Sequence, residues 1–93
     1  MKEIEIFYLT NCPYCKNARK AIEELCTENP AYRQIKLKWI EEREQPEIAD
    51  KYDYYSVPSL FCGGEKLYEA HFTHGYVVIK DHIREAFDRV LGA

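Results

Sequence analysis

The sequence lacks long apolar runs, a basic excess, and stretches rich in glycine or proline. No apolar run comes near the roughly 18 residues that a membrane-spanning helix needs, so we expect no membrane association. No signal-peptide block follows the alternating charged and apolar residues at the start, which favours the cytoplasm. Glycine and proline number four each among 93 residues, which is typical of a globular protein rather than a disordered or fibrous one. We therefore predict a single domain over residues 1–93.

Basic side chains are also too few for a general nucleic-acid-binding surface. The chain has 13 Lys and Arg against 16 Asp and Glu, a formal net charge of −3, whereas nucleic-acid binding needs a basic face. We therefore expect no nucleic-acid partner. Residues 41–53 carry six acids against two bases, after a basic stretch in residues 32–40. We interpret both stretches as solvated faces, with partner docking by the acidic one as the alternative.

Cysteine occurs at four positions, and only two of them form a C-x-x-C pair. A four-cysteine zinc ribbon needs two such pairs, and a disulfide framework is typical of small secreted proteins. We therefore predict that Cys12 and Cys15 are a redox pair and that Cys26 and Cys62 pack as small apolar side chains. The alternative is a non-catalytic module in which Cys12 and Cys15 hold zinc or a metal cluster.

Hydrophobic periodicity predicts the element order β-α-β-α-β-β-α. The predicted strands cover about 3–9, 32–40, 57–62 and 65–71, and the predicted helices about 13–27, 44–52 and 78–91. The first β-α-β unit should be a right-handed crossover between parallel strands, and Gly63-Gly64 indicates an antiparallel hairpin. The predicted fold class is therefore α/β, a four-stranded mixed sheet flanked by three helices that cover both faces.

The C-x-x-C pair lies where the first strand passes into the first helix. Asn11 is a favourable N-cap, so we expect Cys12 at the helix N-terminus, where free amides and the helix dipole favour a thiolate. Cys15 shares a helix face with Cys12 and can resolve a mixed disulfide. Pro13 restricts the backbone between them, and Tyr14 is expected to point outward and flank a docked substrate.

Several other side chains are expected to have no role in the redox chemistry. Three cations of the first helix are expected to be ordinary solvated residues: Lys16, Arg19 and Lys20. Trp39 is expected to be structural. His71 and His74 could join Cys62 in a metal site, but ordinary loop histidines are the expectation, so we predict no metal site.

Three tyrosines precede the third predicted strand: Tyr52, Tyr54 and Tyr55. Tyrosine suits contact surfaces, so these rings either line a substrate groove or cap the edge of the core. Of the three, we assign Tyr55 to substrate binding.

Two motifs carry a resemblance to a known family. Cys12-Pro13-Tyr14-Cys15, directly after the first strand, resembles the active site of dithiol glutaredoxins, a branch of the thioredoxin superfamily, and Val57-Pro58 resembles its cis-proline step. The resemblance implies a minimal thioredoxin fold and a thiol–disulfide oxidoreductase whose redox group is the Cys12–Cys15 disulfide, with no other cofactor. Cys12 would be the nucleophile and Cys15 the resolving thiol. The Val57 backbone would pair with the substrate chain, and a cis Pro58 would pack beside the sulfurs.

Some positions depart from that family. Leu9 stands where dithiol glutaredoxins usually have a Lys that holds glutathione, and residues 70–76 lack most of a Gly-Gly-x-Asp segment that holds its other end. Ile6 stands where typical thioredoxins have a buried Asp. We therefore predict a weak or absent glutathione site, with glutathione as a candidate co-substrate and a flavoprotein reductase as the alternative electron donor. The expected partner is a disulfide-containing protein substrate, and the expected state is a monomer.

Overall fold

Strands and helices follow one another in the predicted order along residues 2–92, the part of the chain that the computed structural model describes. The strands are β1 (Glu3–Tyr8), β2 (Lys36–Glu41), β3 (Ser59–Cys62) and β4 (Glu65–Glu69), and the helices are α1 (Pro13–Glu28), α2 (Pro46–Ala49) and α3 (Tyr76–Gly92). A 3₁₀ helix, Pro30–Gln34, follows α1. The predicted fold class is confirmed. No helix within this part of the chain is long and apolar enough to cross a membrane.

The strands form one mixed sheet in the order β2-β1-β3-β4. β1 and β2 are parallel, so α1 is the crossover between them. β3 pairs antiparallel with β1, with Ser59 opposite Phe7, and with β4. Gly63 and Gly64 connect β3 to β4 with φ of 59° and 86°, the left-handed conformation that a two-residue hairpin turn requires. This order brings the end of β1 beside the start of β3.

Apolar side chains cover both faces of the sheet. On one face, Ile4 and Ile6 of β1 pack with the apolar stripes of α1 and α3 in the larger core cluster, because alternate residues of a strand point the same way. On the other face, Phe7 packs with Ile40 and Phe61 in a smaller cluster. Helix α2 has only four residues, so the tyrosines that follow it complete the cover of this second face.

Several predicted boundaries are wrong by a few residues. The second strand begins at Lys36 rather than 32, because Pro30–Gln34 is helical and its N-cap, Asn29, accepts a hydrogen bond from the Ala31 amide. The second helix covers only 46–49 of the predicted 44–52, and β4 ends at 69 rather than 71. Helix α3 begins at Tyr76, two residues early, so the segment between β4 and α3 covers 70–75 rather than the expected 72–77.

Candidate active site

Cys12 occupies the N-cap position of α1 and is partly exposed. Its carbonyl accepts a hydrogen bond from the Lys16 amide, and Pro13 is the first helical residue. The prediction that Asn11 caps this helix is wrong: Asn11 has a φ of 67° and no side chain caps the helix. Asparagine tolerates the left-handed conformation, so Asn11 instead turns the chain into α1. No side chain therefore competes with Cys12 at the N-terminus of α1, where free amides and the helix dipole favour a negative charge.

Cys15 is buried, with 3% of its surface exposed. Its sulfur accepts a hydrogen bond from the Leu9 amide and also hydrogen-bonds with the Cys12 thiol. Burial is the largest cause that raises the pKa of Cys15 to about 12, and Cys12 adds to the increase, while the Leu9 amide and the Arg19 charge oppose it. The site thus pairs one accessible sulfur with one enclosed thiol.

The Val57–Pro58 peptide bond is cis, as the resemblance implied. Pro58 is fully buried, and its carbonyl accepts a hydrogen bond from the Ala70 amide. Continuing the antiparallel register of β1 and β3 places Pro58 beside Tyr8 and Val57 beside Leu9. The segment therefore lies beside the end of β1, where the Leu9 amide contacts the Cys15 sulfur. The Val57 side chain packs against the smaller core cluster.

Tyr14 does not point freely outward as predicted. It is half-buried against the larger core, and its hydroxyl donates a hydrogen bond to the Phe72 carbonyl at 3.0 Å. This contact fixes the first turn of α1 to the segment between β4 and α3. It also places Phe72, whose surface is 77% exposed, next to the site. Sequence reasoning missed Phe72 because its segment has no regular periodicity.

Two of the three tyrosines before β3 cap the edge of the core, and the third is exposed to solvent. The Tyr52 and Tyr54 rings lie 4.7 Å and 4.9 Å from the Phe7 ring, so both cap the smaller core cluster. The Tyr54 hydroxyl also donates to Glu42. Tyr55 is 91% exposed, which leaves it available for contact with another molecule.

Arg19 lines a cleft of about 360 Å³ together with both active-site cysteines and Lys16. Its guanidinium carbon lies 3.9 Å from the centre of the Trp39 ring and 5.0 Å from that of Tyr8. Arg19 is exposed, as expected for a solvated side chain, and cation–π contacts also hold its guanidinium near these two rings. Trp39 packs against the larger core, which agrees with its predicted structural role.

Glu41, at the end of β2, is a site residue that sequence reasoning missed. The acidic stretch of residues 41–53 predicts a solvated side chain, yet only 4% of the Glu41 surface is exposed. Its carboxylate accepts hydrogen bonds from the Thr10 amide and hydroxyl, both at 3.0 Å, and from the Arg43 amide at 2.7 Å. The pKa of Glu41 falls to about 2, chiefly through these two amides. The parallel register of β1 and β2 pairs Tyr8 with Glu41, and knowledge of that register would have placed Glu41 beside the turn that follows β1.

Glu69, at the end of β4, is another site residue that sequence reasoning missed. One oxygen of its carboxylate accepts from the Tyr55 and Ser56 amides, each at 2.7 Å, and the other binds the Lys66 ammonium at 2.7 Å. Burial alone would raise the pKa of Glu69, but these three donors lower it overall. Glu69 therefore anchors the segment that leads into Pro58.

The family model described as "Thioredoxin domain" matches residues 2–88. The chain belongs to the thioredoxin domain family. It is 30% identical over 63 residues to a thioredoxin of Methanocaldococcus jannaschii, an alignment that covers 68% of this chain and 72% of that protein.

Solved thioredoxin structures share the fold of this thioredoxin domain. A mutant thioredoxin of Halobacterium salinarum superposes with a TM-score of 0.59 at 21% identity, over 95% of this chain and 73% of that one. The oxidised thioredoxin of Plasmodium falciparum superposes with a TM-score of 0.65 at 16% identity, over 94% and 78%. These matches establish the thioredoxin domain, a broader group than the glutaredoxin-like branch suggested by the active-site motif.

The remaining cysteines and histidines of the thioredoxin domain are packed or hydrogen-bonded. Cys26 and Cys62 are half-buried against the larger core, as predicted. His74 Nδ1 hydrogen-bonds with the Tyr68 hydroxyl at 2.8 Å, and its ring stacks on His82. Across residues 2–92, no three metal-type side chains are grouped so that they could hold an ion.

Proposed function

We propose that this thioredoxin domain is a dithiol thiol–disulfide oxidoreductase with Cys12 as nucleophile and Cys15 as resolving thiol. The observation that carries the proposal is the contrast between the two sulfurs: Cys12 is accessible at the N-terminus of α1, and Cys15 is buried and hydrogen-bonded to it. Helix amides and the dipole favour a thiolate at Cys12. A second thiol beside the mixed disulfide can attack it once that thiol has lost its proton.

The proposed reaction proceeds in two exchanges. The Cys12 thiolate attacks one sulfur of the substrate disulfide, forming a mixed disulfide and releasing the first substrate thiolate, which takes up a proton. Cys15 then loses its proton to solvent, and its thiolate attacks the Cys12 sulfur. This step releases the second substrate thiolate and leaves a Cys12–Cys15 disulfide. The substrate has gained two electrons, which a separate thiol or flavoprotein donor must return to the protein.

A protein disulfide is the substrate class that we propose. Tyr55 and Phe72 expose aromatic surface in the segments on either side of the site, and aromatic side chains are enriched in protein contact surfaces. The Val57 backbone is proposed to pair with an extended substrate chain, a mode in which main-chain hydrogen bonds supply affinity. Pro13 and Tyr14 are proposed to shape the entrance, and the protein is proposed to act as a cytoplasmic monomer.

A flavoprotein reductase is the electron donor that we propose, with glutathione as a slower co-substrate of a glutaredoxin-like active site. Leu9, which replaces the glutathione-binding Lys of dithiol glutaredoxins, supports this choice. Its side chain cannot hold a carboxylate, and its amide is already bonded to the Cys15 sulfur.

The direct test is reduction of insulin disulfides by the wild type, C12S, C15S and the control C26S. We expect C12S to be inactive, C15S to accumulate a mixed disulfide detectable by mass spectrometry, and C26S to match the wild type. Wild-type activity in C12S would contradict the proposal. Supplying NADPH with thioredoxin reductase or with glutathione and glutathione reductase distinguishes the donors. Faster turnover with glutathione would overturn the choice of donor alone.

A further inference from the structure

The turn that presents Cys12 leaves the sheet at Thr10. β1 ends at Tyr8 and β2 ends at Glu41, and the last ladder bond joins the Glu42 amide to the Tyr8 carbonyl at 3.0 Å. Thr10 therefore has no strand partner for its amide. The Glu41 side chain supplies one, because its Oε2 accepts from both the Thr10 amide and the Thr10 hydroxyl at 3.0 Å.

Glu41 is itself fixed on its other side. Its Oε1 accepts from the Arg43 amide at 2.7 Å, and the Arg43 guanidinium reaches Oε2 at 3.3 Å. Four donors thus surround a carboxylate whose residue is 4% exposed. Hydrogen bonds to an ionised acceptor are stronger than those between neutral groups, so this contact holds Thr10 more firmly than an ordinary turn bond would.

The position held in this way lies two residues before the Cys12 sulfur. Between them, Asn11 has a φ of 67°, the left-handed conformation that asparagine adopts more readily than most residues but not exclusively. If Thr10 were released, Asn11 could relax toward negative φ. Cys12 would then move away from the first-turn amides of α1.

We propose that Glu41 is a positioning residue, which acts through Thr10 to hold the Cys12 sulfur at the N-terminus of α1. The proposal rests on the proposed function in one respect, that Cys12 is the reacting sulfur. It assigns no contact between Glu41 and the substrate. Neither the family match nor the C-x-x-C motif assigns a role to Glu41. This residue lies at the end of β2, whereas the motif follows β1.

The test compares two variants that both remove the Glu41 charge. Glu41→Gln keeps an acceptor for Thr10, whereas Glu41→Ala removes it, so their difference isolates hydrogen bonding from charge. The readout is the rate at which iodoacetamide modifies Cys12 in the reduced protein at pH 7, followed by peptide mapping. We expect Glu41→Ala to react about three- to tenfold more slowly than Glu41→Gln, the order of magnitude expected when the hydrogen bonds to Thr10 are lost. Equal rates in the two variants would overturn the proposal.

Another variant separates positioning from a general loss of stability. Tyr32→Phe removes the 2.6 Å hydrogen bond to Asp88 near the opposite end of α1, and we expect it to leave Cys12 reactivity unchanged. A matching decrease in Tyr32→Phe would overturn the proposal.

If Glu41→Ala fails to fold, Thr10→Val and Thr10→Ser replace it. Valine has no hydroxyl to donate to Glu41, whereas serine keeps this donor. We therefore expect slower modification of Cys12 in Thr10→Val alone. Equal rates in these two would also contradict positioning. The alkylation rate needs no disulfide substrate, so a wild type that fails to reduce insulin would refute the proposed function without affecting this comparison.

Discussion

The guanidinium of Arg19 lies over the ring of Trp39, with 3.9 Å between the guanidinium carbon and the ring centre. Arg19 is four residues after Cys15, one helical turn along α1, and both line the same cleft. The Tyr8 ring, 5.0 Å away, contacts the same cation. The positive charge thus lies near Cys15, the proposed resolving thiol, in a chain where Ile6 stands at the position of the buried acid of typical thioredoxins.

We predict that Arg19→Gln slows the second exchange, in which Cys15 attacks the mixed disulfide. The Arg19 charge opposes the rise in the pKa of Cys15, so removing it raises that pKa and lowers the thiolate fraction at neutral pH. Because Arg19 is exposed and its charge is the smallest of the contributions to the pKa of Cys15, we expect the step to slow by about threefold or less. Rapid chemical quench of a Cys12 mixed disulfide measures this rate directly.

Lys20→Gln is the matched control for this prediction. Lys20 also belongs to α1, but its ammonium lies 5.0 Å from the centre of the Tyr76 ring on α3, not in the cleft with Cys15. We expect Lys20→Gln to resolve the mixed disulfide at the wild-type rate. Equal slowing in both variants would indicate a general effect of net charge and would contradict a specific role for Arg19.

Acid stability should depend on Glu41. Its pKa is lowered from 4.5 to about 2 in the folded protein, so its contribution is fully present above pH 4.5 and is lost as pH falls toward 2. Glu41→Gln should therefore be less stable than the wild type at pH 7, with a smaller further loss between pH 4.5 and 2. Urea unfolding across this pH range measures both effects, and Glu47→Gln, at an exposed position of α2, serves as the control. An identical acid profile in wild type and Glu41→Gln would contradict the assignment.

The fold could be predicted because its signals are local. Ile4 and Ile6 alternate with charged residues, Gly63-Gly64 fixes a hairpin, and the C-x-x-C pair begins a helix. Each of these depends on neighbours within a few residues. The errors occurred where two local preferences compete, as at Asn11, since asparagine favours both an N-cap and the left-handed conformation.

The contacts that complete the candidate site depend on residues far apart in the chain. Glu41 and Thr10 are separated by 31 positions, and Tyr14 and Phe72 by 58. Residue type alone predicted solvation for Glu41 and outward projection for Tyr14. Only the strand order and register bring such pairs together, so one sequence cannot identify them from periodicity.

Tyr14→Phe should loosen the segment around Phe72 without changing the chemistry of the cysteines. The variant loses the 3.0 Å hydrogen bond to the Phe72 carbonyl, which typically contributes about 0.5–1.5 kcal/mol. We expect faster amide hydrogen exchange in residues 71–75 and an unchanged rate of Cys12 alkylation. Unaltered exchange in that segment would show that the hydroxyl does not restrain it.

Glu69→Ala should weaken substrate binding more than it affects the exchange step. Its carboxylate holds the Tyr55 and Ser56 amides, and these residues precede the Val57 backbone that is proposed to pair with the substrate. Releasing them adds an ordering cost to binding. We expect KM for a protein disulfide to rise about three- to tenfold, the effect of one or two lost hydrogen bonds, with kcat within about twofold of the wild type.

Lys66→Met provides the control for Glu69→Ala. Lys66 binds the carboxylate oxygen that does not contact the two amides, so this change removes an ion pair near the surface and leaves the backbone contacts in place. Exposed ion pairs contribute little, and we expect KM in Lys66→Met to stay close to the wild-type value. If Lys66→Met raised KM as much as Glu69→Ala, the effect would come from charge near the site. If Glu69→Ala lowered kcat instead, Glu69 would act on the reacting sulfurs rather than on substrate binding.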